Sequence, residues 1–264
     1  MTSTSLMPTG LAFHEAVALA SATPSLDVGV HLTLVAERPA LPARAIPSLV
    51  GGDGRFHPSV RGFARRYALG RIRRAEVTRE LEAQVARVLA AGLRPTHLDS
   101  HQHVHMLPGI LDSVLQVSRH FGVPWIRLPA ERSPWRGLGA GVVRVAEALV
   151  LTAVSLPARR RLPARTDGIV GFLVGGRLDR AGLRLILRQL PTHGLWELVC
   201  HPGLADPASP YGDWGYNWAG ELDALTDPEI ASEIRALGIR LVSFREPTPD
   251  IGAASAVGAR PPSR

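Results

Sequence analysis

Four of the ten histidines fall between positions 97 and 105, in the run Pro95-Thr96-His97-Leu98-Asp99-Ser100-His101-Gln102-His103-Val104-His105. Read as a strand, alternate side chains share a face. Asp99, His101, His103 and His105 then lie on one side, with His97 at the head of the row. Leu98, Ser100, Gln102 and Val104 take the other side. A row of imidazoles and a carboxylate makes a poor core face, because buried polar groups need partners. It makes a good face for holding a metal or moving protons.

Reach limits how many of these can serve one ion. At about 3.3 Å per residue, His101 and His105 would stand roughly 13 Å apart at Cα. They cannot share a metal unless the chain turns between them. One ligand from this row, joined by ligands from other strands, is the economical arrangement, with the other histidines supporting it or touching substrate. His31, in the apolar run Val28 to Leu34, is the natural second ligand; the competing reading is a hydrogen-bonded core histidine. His201 closes Glu197-Leu198-Val199-Cys200-His201-Pro202-Gly203, and Arg127 sits at the end of another strand-like run. Strand ends are where α/β folds build sites, although a turn residue and a surface salt bridge would also account for these two.

The elements that must position these groups alternate along the chain. A helical pattern over Leu11 to Ser21 precedes the strand Val28 to Leu34. A Pro- and Gly-rich loop then runs to Ser59. Val77, Leu81, Val85 and Val88 mark one face of a helix from Ala75 to Ala91, ended by Gly92. Thr96 to His103 reads as a strand. Pro108 opens a helix that Gly122 closes, and strands follow at Val123 to Leu128 and at Trp196 to Cys200. Thr226-Asp227-Pro228-Glu229 resembles a capping box, opening a helix that ends at Gly238. Ile239 to Ser243 reads as a final strand. The alternation predicts an α/β fold with parallel strands closing into an irregular barrel. One domain spans residues 1–246, with 133–165 as an insertion over the site and 247–264 as a disordered tail.

Bulk properties narrow the classes. The chain has 264 residues, 45% of them hydrophobic, enough for a substantial core. All 30 basic residues are Arg, and the net charge is +7. They are scattered and belong to no recognisable nucleic-acid module, so they read as a solvated surface and no nucleic-acid partner is expected. One cysteine excludes a disulfide framework and a thiolate zinc site. The apolar stretch from Gly137 to Leu156 is interrupted by Arg144 and Glu147, so it predicts an amphipathic helix rather than a span. No signal peptide is visible. A cytoplasmic location, with peripheral contact at the inner membrane, follows as the expectation.

The stretches around these residues resemble the YdjC-like carbohydrate deacetylases, most closely the hopanoid-biosynthesis-associated (HpnK-type) branch. The matching stretches are Thr2 to Met7, Gly29 to Leu32, Pro95 to His105, Arg127 to Pro129, Glu197 to Gly203 and Arg240 to Arg245. The resemblance covers Thr2 to Glu246; the histidine cluster is its specific part. It implies a distorted (β/α) barrel of the polysaccharide-deacetylase type and removal of acetyl groups from N-acetylated amino sugars with a divalent metal. It implies metal ligands at His31 and His101, His201 as general acid, and Arg127 as orienter of the catalytic carboxylate. Asp99, His103 and His105 become supporting or substrate-contacting groups. An N-acetylglucosaminyl glycolipid, such as a glycosylated hopanoid, is the implied substrate, and a homodimer a further expected assembly.

One departure stands against the matches. Family members open with a strand carrying Asn-Ala-Asp-Asp-Phe-Gly, which supplies the general base and the third metal ligand, and no Asp-Asp pair occurs in this chain. The expectation is therefore a barrel missing its first strand, inactive or poorly folded as written. Loss of a positioned base alone costs about 10²- to 10⁴-fold. Ligand chemistry bears on the ion: two imidazoles favour zinc, cobalt or a similar metal over magnesium. The competing function is a non-catalytic relic that binds sugar or metal.

Overall fold

The computed structural model describes residues 1–132, 139–204, 206 and 211–246. Six short parallel strands alternate with eight α-helices among them. Strands β1 (Ser3–Leu6), β2 (Asp27–Leu32), β3 (His97–Ser100) and β4 (Trp125–Ile126) form one sheet in that order. β5 (Gly168–Val170) pairs with β6 (Trp196–Leu198). Isolated bridges from Trp125 to Ala164 and from Glu131 to Ile169 link the two sheets into one curved surface. No strand pairs with the outer edge of β1 among the described residues. The expected α/β architecture with parallel strands is what the chain adopts.

The helices are α1 (Phe13–Ala22), α2 (Val60–Ala68), α3 (Arg74–Ala90), α4 (Ile110–Phe121), α5 (Val142–Ala158), α6 (Arg180–Gln189), α7 (Trp218–Thr226) and α8 (Pro228–Ala236). The apolar face expected of α3, Val77, Leu81, Val85 and Val88, is buried against α4 and the sheet. Its buried polar residues tie down the long loop after β2. The Glu80 carboxylate accepts from the Ala40 and Leu41 N–H groups at 2.7 and 3.0 Å. Glu76 accepts from Ser48 N at 2.8 Å, and Gln84 from Thr33 N at 2.9 Å. A loop with only a short 3-10 turn at Ala43–Ala45 and a bridge from Val50 to Phe56 is thus held by side-chain acceptors on a helix. Gly122 ends α4 in the left-handed conformation, at φ 67°. A second apolar cluster gathers β5 and α6 to α8, including Leu183, Ile186 and Ile230.

Three sequence expectations change. The strand expected to reach His103 stops at Ser100, and residues His101–Met106 coil into 3-10 turns. Ile239 to Ser243 forms no strand. Instead Arg245 ties this segment to β2, pairing with Asp27 at 3.1 Å, and Phe244 packs on the His97 ring at 4.2 Å. The strands around Arg127 and His201 are also shorter than expected, at Trp125–Ile126 and Trp196–Leu198. Residues 133–138, part of the expected insertion, and the expected tail 247–264 lie outside the described residues. Helix α5 packs on the 101–106 turns and on residues 172–174. Its Thr152 hydroxyl accepts from Glu131 N at 3.0 Å.

His97 is a structural histidine. Ser5 and Thr96 hydroxyls meet its two ring nitrogens at 3.1 and 3.0 Å. The ring lies on the Gly29 backbone, where a Cβ would come within 2.4 Å. Only glycine allows that approach.

Candidate active site

The site gathers at the C-terminal ends of β2, β3, β4 and β6, where parallel sheets build their sites. His31 and Asp99 stand opposite one another in the β2–β3 register. Strand alternation points both to the same face, and His31 Nδ1 lies 3.0 Å from Asp99 Oδ1. Asp99 is also ion-paired with the Arg127 guanidinium, which reaches Glu197 Oε1 with its Nε at 2.8 Å. All four side chains are largely removed from solvent. Burial alone would raise the Asp99 pKa, but Arg127 and then His31 overcome it and hold the carboxyl well below the usual range. Arg127 is raised in turn by Asp99 and Glu197 against the cost of its own burial. An ionised Asp99 can only accept, so His31 Nδ1 donates to it.

His101 follows β3 directly, and its ring centroid lies 5.7 Å from that of His31. Burial and then the neighbouring His31 lower its pKa to about 4, so it is neutral near pH 7. Beyond it the shared face ends. Gln102 and His103 both adopt left-handed backbone, at φ 51° and 55°, a region non-glycine residues enter at a cost. The turn does bring the chain round, as a shared metal would require, but it spends His105 elsewhere. The Arg127 carbonyl can only accept, so His105 Nε2 donates to it at 3.0 Å; Nδ1 then accepts from the Ser100 hydroxyl at 2.6 Å. Both nitrogens of His105 are engaged, which rules it out as a ligand in this arrangement. His103 packs against Phe172 and His105, with Nδ1 buried and without a hydrogen-bond partner.

His201 approaches from beyond β6. Burial, then the charges of His31 and Arg127, bring its pKa to about 4. Its backbone N–H donates to Glu221 on α7, while Nδ1 is buried without a partner. Glu221 also accepts from Leu178 N at 3.2 Å, so one buried carboxylate ties together two loops beside the site. Burial pushes the neighbouring Cys200 thiol up to about 12, which leaves it a neutral, unreactive group.

Five expected residues therefore converge: His31, Asp99, His101, Arg127 and His201. His103 and His105 lie behind them. Arg127 makes no surface salt bridge; it is the buried hub between two carboxylates. Glu197 and Glu221 escaped the sequence reading. Glu197 stands four residues before His201 in a strand, a placement that could have flagged it. Nothing local marks Glu221.

The donor set fits a zinc-type ion in part. Two neighbouring imidazoles are suitable ligands, and the Asp99–His31 bond is the usual outer support for one. Among the described residues, no group of three or more His, Cys, Asp or Glu side chains is placed to hold a metal ion.

Fold and site together define an open, parallel α/β barrel with a histidine–carboxylate centre at its strand ends. The chain belongs to the YdjC-like protein family, whose model matches residues 1–236. A carbohydrate deacetylase of Brevibacillus brevis is 32% identical, over 93% of this chain and 88% of its own. A carbohydrate deacetylase of Homo sapiens is 34% identical, over 92% and 81%. A chitooligosaccharide deacetylase of Serratia marcescens is 29% identical, over 93% and 88%. The crystal structure of a candidate cellobiose-phosphate cleavage protein from Enterococcus faecalis superposes with a TM-score of 0.67, at 25% identity over 92% of this chain and 87% of that one.

Proposed function

We propose that this chain carries the site of a carbohydrate N-deacetylase, a hydrolase that removes the acetyl group from an N-acetylated amino sugar. The observation that carries the reading is the adjacent pair of imidazoles, His31 and His101, with His31 held by Asp99. The names of the relatives agree with it. In this reading His31 and His101 hold a divalent ion, zinc or cobalt in preference to magnesium. Such an ion, when bound, would supply Lewis acidity toward the acetyl carbonyl and water. His201, neutral at rest, first accepts a proton and then delivers it to the leaving amine. Arg127 keeps Asp99 ionised and aimed at His31.

The glycolipid part of the proposal draws on α5. Val142, Leu149 and Leu156 recur every seven residues on it and are 86%, 51% and 43% exposed. Val143 and Val150 widen the stripe, and the exposed Arg160 follows the helix. An apolar stripe beside Arg suits an anionic lipid surface, where an N-acetylglucosaminyl lipid such as a glycosylated hopanoid would be met. No described helix is long and apolar enough to cross a membrane.

One observation favours a second reading, a sugar- or metal-binding relic. Asp99 is committed to Arg127 and His31, and no third metal donor is in place among the described residues. Acetate release from an N-acetylglucosaminyl substrate, with zinc added, separates the two. Turnover abolished by His101→Ala supports the deacetylase. Binding of zinc or sugar without acetate release supports the relic.

A further inference from the structure

Two of the three tyrosines and two of the five tryptophans lie between positions 211 and 218, in Tyr211-Gly212-Asp213-Trp214-Gly215-Tyr216-Asn217-Trp218. Their rings form a continuous chain. Tyr211 meets Trp214 at 4.9 Å, Trp214 meets Tyr216 at 5.5 Å, and Tyr216 meets Trp218 at 4.7 Å. The chain touches the catalytic centre twice: Trp214 lies 5.6 Å from the His101 ring, tilted by 33°, and Tyr216 lies 5.3 Å from His201.

The segment is pinned throughout. The Tyr211 hydroxyl donates to Glu37, in the loop after β2. Asn217 N donates to Gly176 O at 2.6 Å, and Gly203 N to Trp218 O at 3.1 Å. Tyr216 covers Gly176, where a Cβ would fall 2.3 Å from the ring. Gly215, at φ 66°, supplies the left-handed turn that separates Trp214 from Tyr216. Yet Trp214 remains 39% exposed. A large aromatic placed beside the polar groups of the site, and left open to solvent, is the composition of a ligand site rather than of a core.

We propose that Trp214 is the stacking platform for the pyranose ring whose acetamide faces His31 and His101. This inference rests on the deacetylase reading and adds a specificity-determining residue to it. A chair pyranose presents axial C–H groups on a face and hydroxyls around its rim. The C–H face suits the electron-rich face of an indole. The rim suits the hydrogen-bonding groups of the site. The Trp214 and His101 ring centroids are 5.6 Å apart, so a sugar seated on Trp214 would have His101 beside it. The platform therefore selects a cyclic sugar over an acyclic N-alkyl acetamide.

Methyl N-acetyl-β-glucosaminide titrated against the full chain tests this, with affinity read by calorimetry, contact at the indole by tryptophan fluorescence and, in parallel, turnover by acetate release. Stacking worth about 0.5–1.5 kcal/mol corresponds to a 2- to 12-fold change in affinity. Trp214→Ala is expected to weaken binding of the glycoside about 5- to 10-fold, and Trp214→Phe about twofold. Acyclic N-ethylacetamide is expected to bind both variants as it binds the parent. The fluorescence change on sugar binding is expected to vanish in Trp214→Phe. Unchanged glycoside affinity in Trp214→Ala, with acetate still released, would overturn the platform and leave the deacetylase reading standing. Trp214-dependent binding without acetate release would do the reverse. No binding by the parent chain would overturn both.

Discussion

Nδ1 of His31 sits 3.0 Å from Oδ1 of Asp99, and the two residues are direct register partners in adjacent parallel strands. Backbone pairing, not a flexible loop, sets this contact. Arg127 secures it by keeping Asp99 charged. Substituting Asp99→Asn removes the charge and leaves Arg127 facing only Glu197. Breaking a buried ion pair from one side costs about 3–5 kcal/mol, so a large fall in melting temperature is expected. An unchanged melting temperature would mean the Asp99–Arg127 pair contributes little.

The histidine held by this contact lies beside His101, with ring centroids 5.7 Å apart. Zinc is expected to bind more tightly than magnesium in calorimetric titration. His31→Ala or His101→Ala should weaken zinc binding at least tenfold, and Asp99→Asn by about 10- to 100-fold through loss of the outer support. His105→Gln should weaken it far less, because both nitrogens of His105 are already committed. Equal losses for His105 and His101 would contradict this division of roles.

Burial lowers the pKa of His105 to about 4, against about 6.5 in an unfolded chain. Between these values the unfolded state binds more protons, so stability falls as pH drops from about 6.5 toward about 4, and is fully present above 6.5. His101 and His201, also near 4, act in the same direction. The depressed Asp99 carboxyl adds a further loss at still lower pH. Melting temperature measured across pH 4–8 should be flat above about 6.5 and fall steadily below it. A flat profile down to pH 4.5 would contradict the buried, neutral state of these rings.

Helix α5 offers a separate test of the glycolipid proposal. Leu149 and Val150 lie on its exposed stripe and pack into neither apolar cluster. Leu149→Glu with Val150→Glu should reduce co-sedimentation with anionic vesicles severalfold while leaving the melting temperature nearly unchanged. Activity on a soluble N-acetylglucosaminide should persist. Equal vesicle binding by parent and variant would remove the membrane from the account.

Much of this protein is written locally. Helix α3 declares itself through the spacing of Val77, Leu81, Val85 and Val88, because a 3.6-residue period survives without tertiary context. Residue type and strand-end position mark His31, Arg127 and His201 as candidates beside the histidine run, since sheets present their chemistry there; their separate roles come from the family resemblance. The histidine run misled in one respect. Alternation held through Ser100 and then failed, because Gln102 and His103 turn left-handed, a conformation their residue types do not announce. The expected final strand failed for a similar reason: Arg245 and Phe244 are held by Asp27 and His97, partners far away in the chain.

The sequence by itself determined the kind of chemistry and the class of fold, through residue types at strand ends and periods along helices. Both are properties of a few neighbouring residues. Only the tertiary structure decided which histidines face one another, that Arg127 bridges Asp99 to Glu197 seventy residues away, and that Trp214 stands open beside His101. Those relationships depend on where distant strands and loops meet. Their physical cause is the packing and charge pairing of the whole molecule, which no local pattern encodes.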